Sequence, residues 1–166
     1  MKAAVKFICL AAVFTAAIGC TSENPRVVTR TNLAASLTGT LPWNPLQGRV
    51  ITSWIDKGSG TMSTLYGNDL AIGHARTTPR TTWPSGAILS LVTWKQQEDE
   101  RWFGAKIPAT PQSVEFVMVG ATPDQQAQYS YKKFQGQPLQ QTLADDGPTP
   151  NYRTAYLLSQ PAAEMP

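Results

Sequence analysis

The chain has 166 residues, room for one domain with an appendage but not for two full catalytic domains. With 42% hydrophobic and 15% charged residues it is too apolar for a disordered chain, and its long apolar runs are too few for a polytopic membrane protein. The 13 prolines and 12 glycines, among many threonines and glutamines, point to a loop-rich, strand-containing exported domain rather than a helical bundle.

Lys2 and Lys6 precede an apolar stretch over 7–18, which runs into Ala17, Ile18, Gly19 and Cys20. A spanning helix needs roughly 20 apolar residues, so this shorter stretch is read as a secretory leader. The four residues ending at Cys20 resemble a bacterial lipobox, with Ala17 where leucine is commoner. That resemblance implies cleavage after residue 19 and acylation of Cys20. It makes a membrane the first expected partner, through a lipid anchor, and the periplasm the expected location. Thr21, where inner-membrane lipoproteins carry aspartate, points to the outer membrane.

Of the 14 basic residues, Lys2 and Lys6 leave with the leader, so 12 remain against 11 acidic ones and the formal +3 charge falls to about +1. No Lys/Arg cluster remains to neutralise several phosphates, and nucleic acid is not an expected partner. The two cysteines are Cys9, inside the leader, and Cys20. Thiol nucleophiles, disulfides, thiolate zinc sites and thioether-linked haem are therefore not expected in the mature domain. With His74 the sole histidine, no multi-histidine metal site can be built, and no metal is expected.

Residues 20–45 read as a lipidated tether that merges into the domain, with room for one helical turn; it carries a short apolar patch, Leu33-Ala34-Ala35, and the stop Pro42-Trp43-Asn44-Pro45. Residues 50–55 and 61–66, rich in β-branched and aromatic residues and separated by Lys57-Gly58-Ser59-Gly60, read as a β-hairpin. Asn68 is placed to cap a short helix through Ala75 and Arg76. The nearly continuous apolar run 87–94 reads as a strand with both faces covered, the centre of the sheet. Residues 96–101 form a polar excursion, and residues 102–107 lead to Pro108. Strands are expected over 114–119 and 128–132, a loop over 135–150, and a short helix before Pro161 from the spacing of Tyr152, Ala155, Tyr156 and Ser159. The fold class is α+β, with five or six mostly antiparallel strands and two or three short flanking helices. The domain is assigned to 46–160, with 161–166 as a C-terminal tail.

Several blocks resemble the cytochrome P-460 family of exported bacterial proteins: Met62-Ser63-Thr64-Leu65-Tyr66-Gly67-Asn68-Asp69, Ala75-Arg76-Thr77, Pro84-Ser85-Gly86-Ala87-Ile88-Leu89, and Thr93-Trp94-Lys95-Gln96-Gln97-Glu98-Asp99 with Trp102-Phe103-Gly104. The likeness spans roughly 46–134. It implies a compact antiparallel sheet with flanking helices, often dimeric, and in the haem-bearing members a c-type haem on a Cys-x-x-Cys-His motif near the C-terminus. Here that region reads Asn151-Tyr152-Arg153-Thr154-Ala155-Tyr156-Leu157-Leu158, without a cysteine or histidine. No haem ligand carries over, and the family's lysine cross-link to haem has no assigned position here; Lys95 is merely nearby. A haem-free relative is expected.

Candidate sites follow from residue chemistry. His74 is the candidate cofactor-binding residue, as sole axial ligand of a non-covalently held haem in a pocket drawn from Trp54, Trp94, Phe116 and Tyr129; the alternative is an ordinary helix histidine. Glu98 and Glu100, beside Trp94 and Trp102, are the carboxylate pair for a hydrolase acting on a sugar, provided the segment is extended; the alternative is a solvated turn. Tyr129 and Tyr131 share one strand face as a stacking stripe for a ligand or as half of a core. Asp145-Asp146-Gly147 lacks calcium-loop spacing and reads as a turn. The resulting expectation is an anchored lipoprotein whose domain binds an unknown small molecule or dimerises, with a binding role preferred to an enzymatic one.

Overall fold

A computed structural model describes residues 32–77, 82–123, 126–142 and 150–163, all within the unit that begins at Asn32. The leader, Cys20 and Asp145, Asp146 and Gly147 lie outside the described residues.

Six strands form one antiparallel sheet in the simple order β1-β2-β3-β4-β5-β6. They are β1 (Arg49–Asp56), β2 (Thr61–Gly67), β3 (Ile88–Glu98), β4 (Lys106–Ala121), β5 (Ala127–Gln135) and β6 (Gln140–Thr142). Helix α1 (Asp69–Ala75) sits between β2 and β3, and α2 (Pro150–Ser159) follows the sheet. The expected α+β class and strand count hold. The β1–β2 turn is set by local chemistry: Asp56 Oδ1 accepts from the amides of Gly58 at 2.8 Å and Ser59 at 3.2 Å, while Gly60 takes φ +64°.

Period-2 alternation divides the sheet into two apolar faces. On one, Leu65, Leu89, Leu91, Val117 and Val119 meet Ala71, Ile72 and Ala75 of α1 and Leu157 of α2. On the other, Val92, Trp94, Val114, Phe116 and Phe134 pack together, with the Phe116 and Phe134 rings edge to face at 5.6 Å. Full burial of such a side chain contributes about 1.5–3 kcal/mol, so both layers hold the sheet. The central position expected for the 87–94 run is correct: β3 and β4 lie in the middle, covered on both sides.

Helix α1 begins where its capping residue predicts. Asn68 Oδ1 accepts from the amide of Ala71 at 3.0 Å and from that of Ile88 at 3.2 Å, while its Nδ2 donates to the Gly86 carbonyl at 2.8 Å. One side chain therefore caps the helix and ties it to the start of β3. Close approach of α1 requires Gly67, where a Cβ would come within 2.9 Å of Ala71 Cβ and Ile51 Cδ1.

The second face is closed by the later part of the 20–45 segment, where the tether merges into the domain. Two 3-10 turns (Leu33–Ala35 and Pro45–Gln47) bracket an extended strap, and Ala35, Leu37, Leu41 and Trp43 pack on the Trp94–Phe116 layer. At the β1 edge, the Ala163 amide donates to the Ile51 carbonyl at 2.7 Å, so part of the C-terminal tail shields that edge.

Candidate functional site

The middle of β4 carries a carboxylate inside the apolar sheet. Glu115 is 5% exposed. A buried ion of this kind needs a counter-charge and filled hydrogen bonds. Both are supplied by α2, which crosses the same face. Arg153 donates from Nε to Glu115 Oε2 at 2.8 Å and from Nη2 to Oε1 at 2.7 Å, a bidentate fork. Tyr131, on β5, donates its hydroxyl to Oε2 at 2.7 Å. On its far side the Arg153 guanidinium lies 4.7 Å over the Tyr156 ring, and Tyr156 meets Trp54 of β1 edge-on at 6.4 Å.

The electrostatics follow from this packing. The hydrogen-bonded Glu115 carboxylate holds the Arg153 guanidinium above its ordinary range against the opposing effect of burial. Burial first, then the hydrogen bond and charge of Glu115, push the Tyr131 phenol well above its ordinary range. Tyr131 is therefore a fixed donor at neutral pH.

Beside this network a cleft of about 470 Å³ opens between β5 and α2, lined by Tyr129, Tyr131, Pro150, Asn151, Thr154, Ala155 and Leu158. Its volume is in the range that takes a small organic ligand. Tyr131 is common to the cleft and the buried pair: it lines the cleft and its hydroxyl is held by Glu115. Tyr129 is 40% exposed, and Asn151 and Thr154 are the polar side chains among the lining residues of α2.

The sequence-derived candidates separate. Tyr129 and Tyr131 lie together on the cleft. Trp94 lies on the opposite face, beneath the strap, donating from Nε1 to the Ala35 carbonyl at 3.0 Å. Glu98 ends β3 and pairs with Lys106, while Glu100 and Trp102 sit exposed in the β3–β4 turn, where the chain leaves the extended form. His74 lies on α1 with its ring 4.5 Å from that of Trp83, and Nε2 is buried without a hydrogen-bond partner among the described residues. Of the rings proposed to surround it, Trp94 and Phe116 belong to the other face of the sheet. No group of three or more His, Cys, Asp or Glu side chains is placed to hold a metal ion among the described residues.

Glu115 and Arg153, the pair that organises the site, were not singled out from sequence. One signal was present: a carboxylate inside the apolar run 114–119, which buries on both faces and so demands a cation from elsewhere.

A family model, cytochrome P460, matches residues 47–150. The chain belongs to the cytochrome P460 family. The match spans all six strands of the cytochrome P460 domain and α1, and stops at the first residue of α2, so Arg153 lies just beyond it. A comparison with curated proteins finds no match.

Proposed function

We propose that this cytochrome P460-family protein is an exported lipoprotein, anchored through Cys20 on the periplasmic side of a bacterial membrane. Its domain binds a small organic molecule in the β5–α2 cleft and carries no covalent haem. The observation that supports binding is the cleft itself: a concavity of about 470 Å³ whose wall, Tyr131, is immobilised by the buried Glu115–Arg153 pair. A pre-set wall lowers the ordering cost of binding. The lining suits a ligand with a flat apolar body to stack on Tyr129 and one or two polar groups for Asn151 and Thr154.

The donor set does not fit the haem of the family's haem-bearing members. Thioether attachment needs two thiols, and residues 150–163 contain no cysteine or histidine. An axial base needs a nitrogen facing a porphyrin-sized space, whereas His74 Nε2 is buried beside Trp83. Glu98, salt-bridged to Lys106 and exposed, and Glu100, exposed beyond the strand end, lie outside any apolar enclosure. A binding role is therefore preferred to hydrolysis.

The test is native mass spectrometry of the mature protein purified from its host, beside a Thr154→Trp variant that fills the cleft. A co-purifying small molecule present in the first and lost in the second is the expected result. Equal retention by both would remove the cleft as the binding site.

A further inference from the structure

Four large apolar side chains stand exposed toward one end of the sheet. In the β3–β4 turn Trp102 is 67% and Phe103 fully exposed; Leu33 and Ile55 are the other two. The β3–β4 hairpin projects beyond its neighbours at this end. The β1–β2 turn is level with Gln96, whose amide donates to the Gly60 carbonyl at 3.0 Å. The β3–β4 ladder continues past it to Glu98 and Lys106 before the chain reverses. The reversal is internally bonded: the amide of Asp99 donates to the Ala105 carbonyl at 3.0 Å, that of Ala105 to Trp102 at 2.9 Å, and that of Arg101 to Asp99 Oδ1 at 2.9 Å. The tip is thus a built turn that presents two aromatic rings to solvent.

The chain enters the domain at the root of this same hairpin. Asn32, the first described residue, donates from Nδ2 to the carbonyl of Pro108 at 2.6 Å, and Pro108 pairs with Gln96. Residues 21–31 separate Cys20 from this point and, fully extended, reach at most about 40 Å. An acyl anchor on Cys20 therefore holds the domain by the end that carries Trp102 and Phe103. Around the tip, Lys95, Arg101 and Lys106 balance Glu98, Asp99 and Glu100. The partner surface that matches is neutral overall, not strongly anionic.

We propose that the β3–β4 tip is a second membrane contact, in which Trp102 and Phe103 enter the headgroup–acyl boundary of the zwitterionic leaflet that holds the Cys20 anchor. Tryptophan favours that boundary because its ring is apolar with one polar edge, and tip insertion orients a domain that a flexible tether alone leaves free. The inference rests on the anchor reading, not on the cleft ligand. Tip contact sets which faces of the domain are turned away from the bilayer.

The experiment uses the mature full chain in phosphatidylcholine–phosphatidylethanolamine vesicles. Intact mass first reports acylation at Cys20; an unacylated chain overturns the anchor and the proposal together. On acylated protein, phospholipids brominated near the headgroup are expected to quench tryptophan emission, and Trp102→Ala to lose most of that quenching; undiminished quenching overturns the proposal. A spin label on Phe103→Cys is expected to become more accessible to oxygen and less to a water-soluble nickel chelate. A label on Ser85→Cys, in the turn before β3 at the other end, is expected to stay aqueous. With the acyl chains present, an aqueous label at 103, or spin–spin broadening from a second copy, overturns the tip contact and leaves the anchor intact.

Discussion

Arg153, on the C-terminal helix, grips Glu115 in the middle of β4 with two hydrogen bonds of 2.8 and 2.7 Å, thirty-eight residues away in sequence. Side-chain exposures of 21% for the arginine and 6% for the carboxylate leave Glu115 the more dependent partner. Removing the cation strands a buried charge, whereas removing both charges does not. Arg153→Ala is expected to lower stability by about 3 kcal/mol. The double variant Glu115→Leu, Arg153→Met is expected to recover most of that loss, as read from urea denaturation midpoints.

The same network makes stability depend on pH at the alkaline end. The Tyr131 phenol is raised in the folded state by burial and by Glu115. A raised group favours its protonated form in the fold, so its contribution is complete below the unfolded value, roughly pH 10, and is lost as pH rises above it. Tyr66, raised by burial, acts in the same direction. Stability is expected to fall above about pH 10. Tyr131→Phe should flatten that fall and remove a late component from the phenolate absorbance titration.

Asn68 joins α1 to β3 through three hydrogen bonds of its side chain. Asn68→Ala is expected to cost about 2 kcal/mol, at the upper end for a cap because the amide of Ile88 and the carbonyl of Gly86 lose partners too. Asn68→Asp, which keeps the acceptor but not the donor to Gly86, should cost less. Thermal and urea unfolding of the three proteins checks the ranking.

The strap is fastened at Gly39, which takes φ +129° and bridges Leu139 in parallel register. A Cβ there would run into the Leu139 carbonyl oxygen, on a backbone that other residues rarely adopt. Beside it the Leu139 amide donates to the Thr38 carbonyl at 2.7 Å. Gly39→Ala is expected to speed hydrogen exchange at the Leu139 amide markedly, while amides of β3 and β4 exchange as before.

The legible parts of the fold were those with a local cause. The run from Ile88 to Trp94 is apolar because both of its faces are covered, and Asn68 precedes a helix because it can cap one. The first half of β4 was hidden by Pro108 and Pro111, which read as breakers. They sit where the β3–β4 register shifts around Trp94 and Gln96, and an irregular ladder tolerates a missing amide donor. Three-residue β6 carries too little pattern to read. The strap reads as tether because its polar residues outnumber Leu37, Leu41 and Trp43, and only the Trp94–Phe116 layer that they cover gives those three a partner. At the cleft, strand alternation puts Tyr129 and Tyr131 on one face. Arg153 gives no such signal, because its partner is long-range and no local pattern links an arginine on a short helix to an acid three strands earlier.

The central claim, a cytochrome P460 domain without covalent haem, is tested most directly by absorption spectroscopy and denaturing intact mass of protein purified from its host without added cofactor. The account predicts no Soret band and a mass equal to the processed chain plus its acyl groups. A tetrapyrrole adduct that survives denaturation would contradict it.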